Sequence, residues 1–201
     1  MKVFGLYSCP VHLLKSVHHS LSPLLAALVN KSISSDIYPH LLKHAKVITV
    51  YKTGDETQPC NYRPISLLSV FNRLFEKLMY KRVRSYCEKN GIFFRFQYGF
   101  RDNCSTQHAI LDILNKIQSK IDAKLFSCGI FIDFKKAFDT VDHSILLHKL
   151  NHYGVRGIIN TWFSSYLSKR SQSTQIGSTV SNKEEKFVVS LKGLYLAPFS
   201  F

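Results

Sequence analysis

Apolar positions along the chain follow two periods, and each predicts a different kind of element. Ser22-Pro23 reads as a cap followed by proline at a first helical position, opening a short apolar helix through Leu28. Leu67, Phe71, Leu74, Leu78 and Tyr86 recur at helical spacing and stop at Asn90-Gly91, a C-terminal cap signal. Opposite that stripe, Arg73, Lys77, Lys81 and Arg84 make a basic face. Ser105 can cap the next helix, whose buried stripe is expected to be Ile110, Ile113, Leu114, Ile117 and Ile121. Asp142 can cap a helix ending at Tyr153-Gly154, and Ile158, Ile159, Trp162, Phe163, Tyr166 and Leu167 mark another. Strands are fewer. Residues 45–51 are β-branched and lead to Thr53-Gly54-Asp55. Residues 126–134 form the strongest strand candidate, nearly all apolar and suited to burial on both faces. Segments 172–180 and 186–190 are expected to pair as a hairpin across Asn182. Helices and strands mix, so the predicted class is α+β.

Composition narrows the function classes. The chain of 201 residues carries 27 Lys+Arg against 13 Asp+Glu, a formal charge of +14, with 45% hydrophobic and 13% aromatic residues. That apolar share supplies a core and excludes a disordered tail. The length fits one domain, or one and a fraction. No apolar run approaches the ~18–20 residues of a membrane span; near the N-terminus the longest, 24–29, has six. Residues 1–7 are too short and too lightly charged for a secretory signal. Cys9, Cys60, Cys87, Cys104 and Cys128 are scattered, odd in number and without a Cys-x-x-Cys pair. This predicts a reducing, intracellular setting. The charge is concentrated: residues 41–101 hold twelve Lys/Arg and four Asp/Glu, interleaved with aromatics such as Phe71, Phe93, Phe94, Phe96 and Phe100. Such a patch attracts polyanions by counterion release, and favours nucleic-acid binding over a merely solvated surface. His40/His44 and His148/His152 are each four apart, but no third ligand stands nearby, so exposed helix surface is expected rather than metal.

One acid is out of place. In Gly129-Ile130-Phe131-Ile132-Asp133-Phe134 a carboxylate closes a run that should be core. Burying it alone is costly, so Asp133 must be paired, protonated or bound to a cation. On the residues alone, an exposed strand end paired with Lys135 or Lys136 is the alternative. Its company is more telling. FIDFKKAFDTVDH (131–143), NYRPISLL (61–68) and QYGFR (97–101), in this order, resemble the reverse transcriptase domain of non-LTR, LINE-like retrotransposons. AKVITVYKTGD (45–55) and HYGVRGIINTWFSSYLSKR (152–170) fit as well. The resemblance extends from about Leu21 to the C-terminus, and residues 1–20 stay unassigned.

The resemblance implies a right-hand polymerase that copies RNA into DNA, with fingers over about 21–125 and the start of the palm over about 126–201. Its sheet would be antiparallel, incomplete and packed with helices. Phosphoryl transfer needs alignment and charge stabilisation, which paired Mg²⁺ ions on hard carboxylate oxygens supply. By resemblance Asp133 is the first metal-binding aspartate, with the Phe134 carbonyl as a second ligand. The resemblance places Phe138 at the steric gate that favours deoxynucleotides, where spacing alone would read a core aromatic, and Asp139 would cap the turn before the next helix. Arg63 and Lys52 would grip the incoming triphosphate, Arg63 through its planar fork; a surface ion pair of Arg63 with Asp55 or Glu56 is the alternative. Gln97, Gly99, Arg101 and Ser105 match the region along the template, and the basic face of Arg73, Lys77 and Lys81 would hold nucleic acid. Implied partners are RNA template, DNA primer and deoxynucleoside triphosphates, with no membrane. The family also carries a hairpin with two adjacent aspartates, and no Asp-Asp pair occurs in these 201 residues. A truncated, catalytically incomplete fragment is therefore expected, a nucleic-acid-binding module or a retroelement relic. One permitted coding of 188–195, read from the third base of its first codon, gives Gly-Val-Pro-Gln-Gly-Ser-Val, the family's string after that hairpin. Compensating frameshifts or a faulty splice would explain this; codons incompatible with the alternate reading would exclude them.

Overall fold

A computed structural model describes residues 11–134 and 140–186. Among them six helices mix with a small five-stranded sheet. Strand β1 (His44–Tyr51) is the one anticipated from its β-branched residues. It pairs antiparallel with β2 (Tyr62–Leu67) and parallel with β3 (Arg170–Ile176). β3 then pairs antiparallel with β4 (Thr179–Val180) and β5 (Glu184–Lys186). The sheet is thus mixed rather than purely antiparallel. β1 and β3 are joined by a long helical connection, which is what a parallel pair requires. The hairpin expected around Asn182 turns instead at Gly177 (φ 59°), and 187–190 lie outside the described residues. Pro64, which has no N–H, sits on edge strand β2, where a ladder can spare the donor.

The helices surround an aromatic core. Helix α1 (Val11–Ser16) leads into α2 (His18–Ser34), and α2 starts before Ser22 and outlasts Leu28. Pro23 lies inside it. Proline offers no N–H to the His19 carbonyl; the Ser22 hydroxyl donates to that carbonyl at 3.3 Å and supplies the missing bond. Helix α3 (Val70–Lys89) is capped by Ser69, whose hydroxyl accepts from the Asn72 N–H at 3.1 Å, so Leu67 belongs to β2 rather than to the helix. Its buried face is Phe75, Met79, Val83 and Cys87, rotated from the predicted stripe, and it includes Asn72 and Glu76. Helix α5 (His143–His152) is capped by Asp142, and α6 (Ile158–Leu167) buries Trp162, Phe163, Tyr166 and Leu167. Gly154 (φ 93°) ends α5 against α3; a Cβ there would displace the Tyr86 hydroxyl and strain the positive φ.

A polar knot ties these layers to the sheet. The Glu76 carboxylate accepts from Asn72 Nδ2 at 2.6 Å and from the Tyr166 hydroxyl at 2.8 Å. The Tyr38 hydroxyl donates to Asn72 Oδ1, and the Tyr38 ring meets Phe75, Trp162 and Tyr166 edge-on. Arg170, 2% exposed, lies over the Tyr166 ring and donates to the Tyr166 carbonyl at 3.2 Å. Burial pushes the Glu76 carboxyl above its ordinary range, against the opposing pull of the Tyr166 and Asn72 hydrogen bonds and of the Arg170 charge.

Two predicted burials are not found. Helix α4 (Thr106–Asp122) forms where expected and Ser105 caps it, but none of its residues is buried, and Ile110, Ile113, Leu114, Ile117 and Ile121 face solvent. Residues 126–134 form no strand: they pair with nothing in the sheet and their side chains are exposed, Phe126 fully so. Apolar composition sets how much a segment gains from burial, whereas a strand also needs a partner in register, and 126–134 has none among the described residues.

Candidate nucleotide and nucleic-acid interface

The β1–β2 ribbon brings two of the predicted residues together. Arg63 stands opposite Val50, and Lys52 lies two positions beyond Val50, so Lys52 and Arg63 share one face of the ribbon. The Lys52 N–H donates to the Asn61 carbonyl at 2.9 Å and extends the ladder by one rung. Both side chains are exposed, and neither forms an ion pair among the described residues. Asp55, the alternative partner of Arg63, is occupied locally: its carboxylate accepts from the Thr57 N–H at 2.9 Å and hydroxyl at 2.8 Å, bonds that hold it below the ordinary carboxylate range. The loop is braced by Asn61 Nδ2 on the Asp55 carbonyl (2.8 Å), Tyr62 on the Glu56 carbonyl (2.9 Å) and Tyr51 on the Gly54 carbonyl (2.5 Å). The pair of cations is therefore presented on a fixed turn. Sequence reading passed over β2 itself; the signal was Tyr62 and Ile65 following a turn-forming Gly54 after a strand.

Arg73, Lys77 and Lys81 line the solvent face of α3, away from its buried stripe. Arg84 does not continue the row as a free cation: it pairs with Glu88 and Asp102, both at 2.9 Å, and donates to the Tyr80 hydroxyl at 2.7 Å. The Asp102 bond fastens the loop between α3 and α4. Within that loop Arg101 is half-buried, its guanidinium donating to the Phe94 carbonyl at 3.1 Å and lying over the Phe93 ring. Gln97 donates from its N–H to the same carbonyl at 3.0 Å and from its side chain to the Gly99 carbonyl at 3.4 Å. Ser105 accepts from the His108 N–H at 3.3 Å as the α4 cap. Four of the predicted template residues thus shape one loop. At Gly99 a Cβ would meet nothing within 4 Å, and its φ lies outside the left-handed region. The chain's own packing does not demand glycine there.

Of the catalytic candidates, Asp133 and Phe134 fall within the described residues. Asp133 and Phe134 are exposed in the unpaired 126–134 segment, and Phe138 and Asp139 lie outside the described residues, as do Lys135 and Lys136. No three of His, Cys, Asp and Glu come together as a metal-binding group among the described residues. Among the described residues Asp133 offers a single exposed carboxylate, too few hard oxygens to fit a resident Mg²⁺ pair. His148 and His152 are exposed on α5 as expected. His44, however, is in β1 and not on a helix with His40, and its ring bridges the Ser171 hydroxyl (3.1 Å) and the Ser173 hydroxyl (3.2 Å) of β3.

The family model described as reverse transcriptase (RNA-dependent DNA polymerase) matches residues 50–201, from the end of β1 onward. The chain belongs to the reverse transcriptase family. It is 30% identical over 164 residues to the "Probable RNA-directed DNA polymerase from transposon BS" of Drosophila melanogaster, an alignment covering 78% of this chain and 17% of that protein. To the "Probable RNA-directed DNA polymerase from transposon X-element" of the same species it is 26% identical, over 94% of this chain and 21% of the relative. To the "RNA-directed DNA polymerase from mobile element jockey" it is 31% identical, over 62% and 14%. These relatives confirm the non-LTR retrotransposon reverse transcriptase resemblance. The chain spans about a fifth or less of the length of each. No helix among the described residues is long and apolar enough to cross a membrane.

Proposed function

We propose that this chain is the nucleotide- and template-holding portion of an RNA-directed DNA polymerase domain. Fingers run over about 21–125 and the start of the palm over about 126–201. The observation that carries this reading is the shared, unpaired presentation of Lys52 and Arg63 on a braced ribbon, within a family whose chemistry moves triphosphates. Arg63 takes two phosphate oxygens through its fork and Lys52 adds a point charge. The basic face of Arg73, Lys77 and Lys81, and the loop of Gln97, Gly99, Arg101 and Ser105, lie along the RNA. Room at Gly99 for an approaching backbone supports this. Asp133 and the Phe134 carbonyl contribute to a Mg²⁺ site, and Phe138 gates the sugar, only when further carboxylates are supplied. By itself the chain binds RNA without polymerising.

Equilibrium binding of single-stranded RNA across a salt series tests the reading. Affinity is expected to fall steeply with salt, and glutamine at Arg73, Lys77 and Lys81 together to flatten the log–log slope by about 2, at ~0.7 per lost single-strand contact. Absent or salt-independent binding overturns it.

A further inference from the structure

The loop between α3 and α4 holds a feature that the template residues above leave unexplained. Phe94 is pinned by its backbone, because its carbonyl accepts from both the Gln97 N–H (3.0 Å) and the Arg101 guanidinium (3.1 Å). Its ring nevertheless points outward and is 66% exposed. Burying a phenylalanine is favourable, so an exposed ring on a fixed backbone forgoes that gain. It meets the Phe96 ring edge-on at 5.4 Å. Phe96 in turn carries two cations: Lys116 lies 3.7 Å from its centroid and Arg95 4.6 Å.

The charges beside this ring do not cancel. Asp112 forms an ion pair with Lys116 at 3.0 Å, and the Arg95 charge and the Tyr98 hydroxyl also act on its carboxylate. One carboxylate thus answers two cations, leaving net positive charge next to an open aromatic face. A flat apolar surface flanked by uncompensated cations on a rigid loop matches one class of ligand well, a strand of unpaired bases and phosphates. An apolar protein partner would be met poorly by Arg95 and Lys116.

We infer that the Phe94 ring is a stacking platform for an unpaired base of single-stranded RNA, with Arg95 and Lys116 as its phosphate contacts. This deepens the proposed function and rests on it, adding a base-reading contact to a site whose other residues address the backbone.

The test compares wild type, Phe94→Ala, Phe94→Trp and Arg95→Gln on a short single-stranded RNA, its abasic counterpart and the DNA of the same sequence. Phe94→Ala is expected to weaken binding of the base-bearing RNA about tenfold, while binding of the abasic strand and the salt slope stay unchanged. Arg95→Gln should weaken RNA and abasic strand alike and reduce the salt slope by about 0.7. The chain's only tryptophan, Trp162, is fully buried, so Phe94→Trp adds an exposed emitter that the RNA should quench. Equal loss on abasic and base-bearing strands, a loss confined to DNA, or an unquenched Phe94→Trp overturns the platform. Intact wild-type binding alongside any of these results leaves the proposed function standing, whereas no wild-type binding to RNA overturns both.

Discussion

Glu76 is 1% exposed at the meeting point of α3, α6 and β3. Around it stand Asn72 and Arg73 from α3, Tyr166 from α6, Arg170 from β3 and Tyr38 from the turn before β1. Alanine there strands the Asn72 amide and the Tyr166 hydroxyl. Glu76→Ala is expected to lower unfolding free energy by about 2–4 kcal/mol, read by urea titration. The pH dependence has a definite sign. Because burial raises the folded pKa, the protonated form is the better fit. Its contribution is whole below the ordinary glutamate value and is lost as pH climbs through the raised one. Glu76→Gln should remove that decline, so the variant gains on wild type across this window. Parallel stability–pH curves would contradict it. None of this was legible in the sequence, where Glu76 looks like one more charge on a basic helix. Only the rotation of the buried face, fixed by what α6 and Tyr38 bring to it, takes the acid inside.

Among the elements, helix ends were the readable part. Ser69, Ser105 and Asp142 cap α3, α4 and α5 through bonds to nearby N–H groups, and such bonds are local, so sequence carries them in full. Ser69→Ala should cost about 1 kcal/mol, measurable by thermal melting. Ser22-Pro23 misleads because the same dipeptide serves two settings: at a helix start it is a cap, and within α2 the Ser22 hydroxyl replaces the bond that proline omits. Pro23→Ala is accordingly expected to raise the melting temperature, since an N–H returns to the His19 carbonyl; a lowered one would show that proline rigidity matters more. The Lys52–Arg63 juxtaposition was half legible. Both residues stood in recognisable strings, but their common face depends on the β1–β2 register, which no single string contains.

At the scale of the whole molecule, the unburied α4 stripe and the 126–134 run are the main departure from expectation. Tyr98, Asp112, Lys116 and Phe96 join α4 to its loop by polar and cation–π contacts on one side, and the apolar stripe lies on the other. So large an apolar surface should recruit apolar dyes and drive self-association of the purified chain. Glutamate at Ile113 and Ile117 should shift sedimentation toward monomer without loss of helix signal; a wild type that stays monomeric at all concentrations would contradict this. Among the described residues, the same exposed segment leaves Asp133 outside any group of three metal-ligating side chains. On the proposed function, a portion that offers Lys52 and Arg63 to phosphates and, among the described residues, gathers no carboxylate cluster should hold a template–primer and leave it uncopied. Primer extension on RNA template and DNA primer, with Mg²⁺ and all four deoxynucleoside triphosphates, addresses this most directly. The expected result is a bound but unextended primer. Sustained incorporation by the chain alone would contradict it.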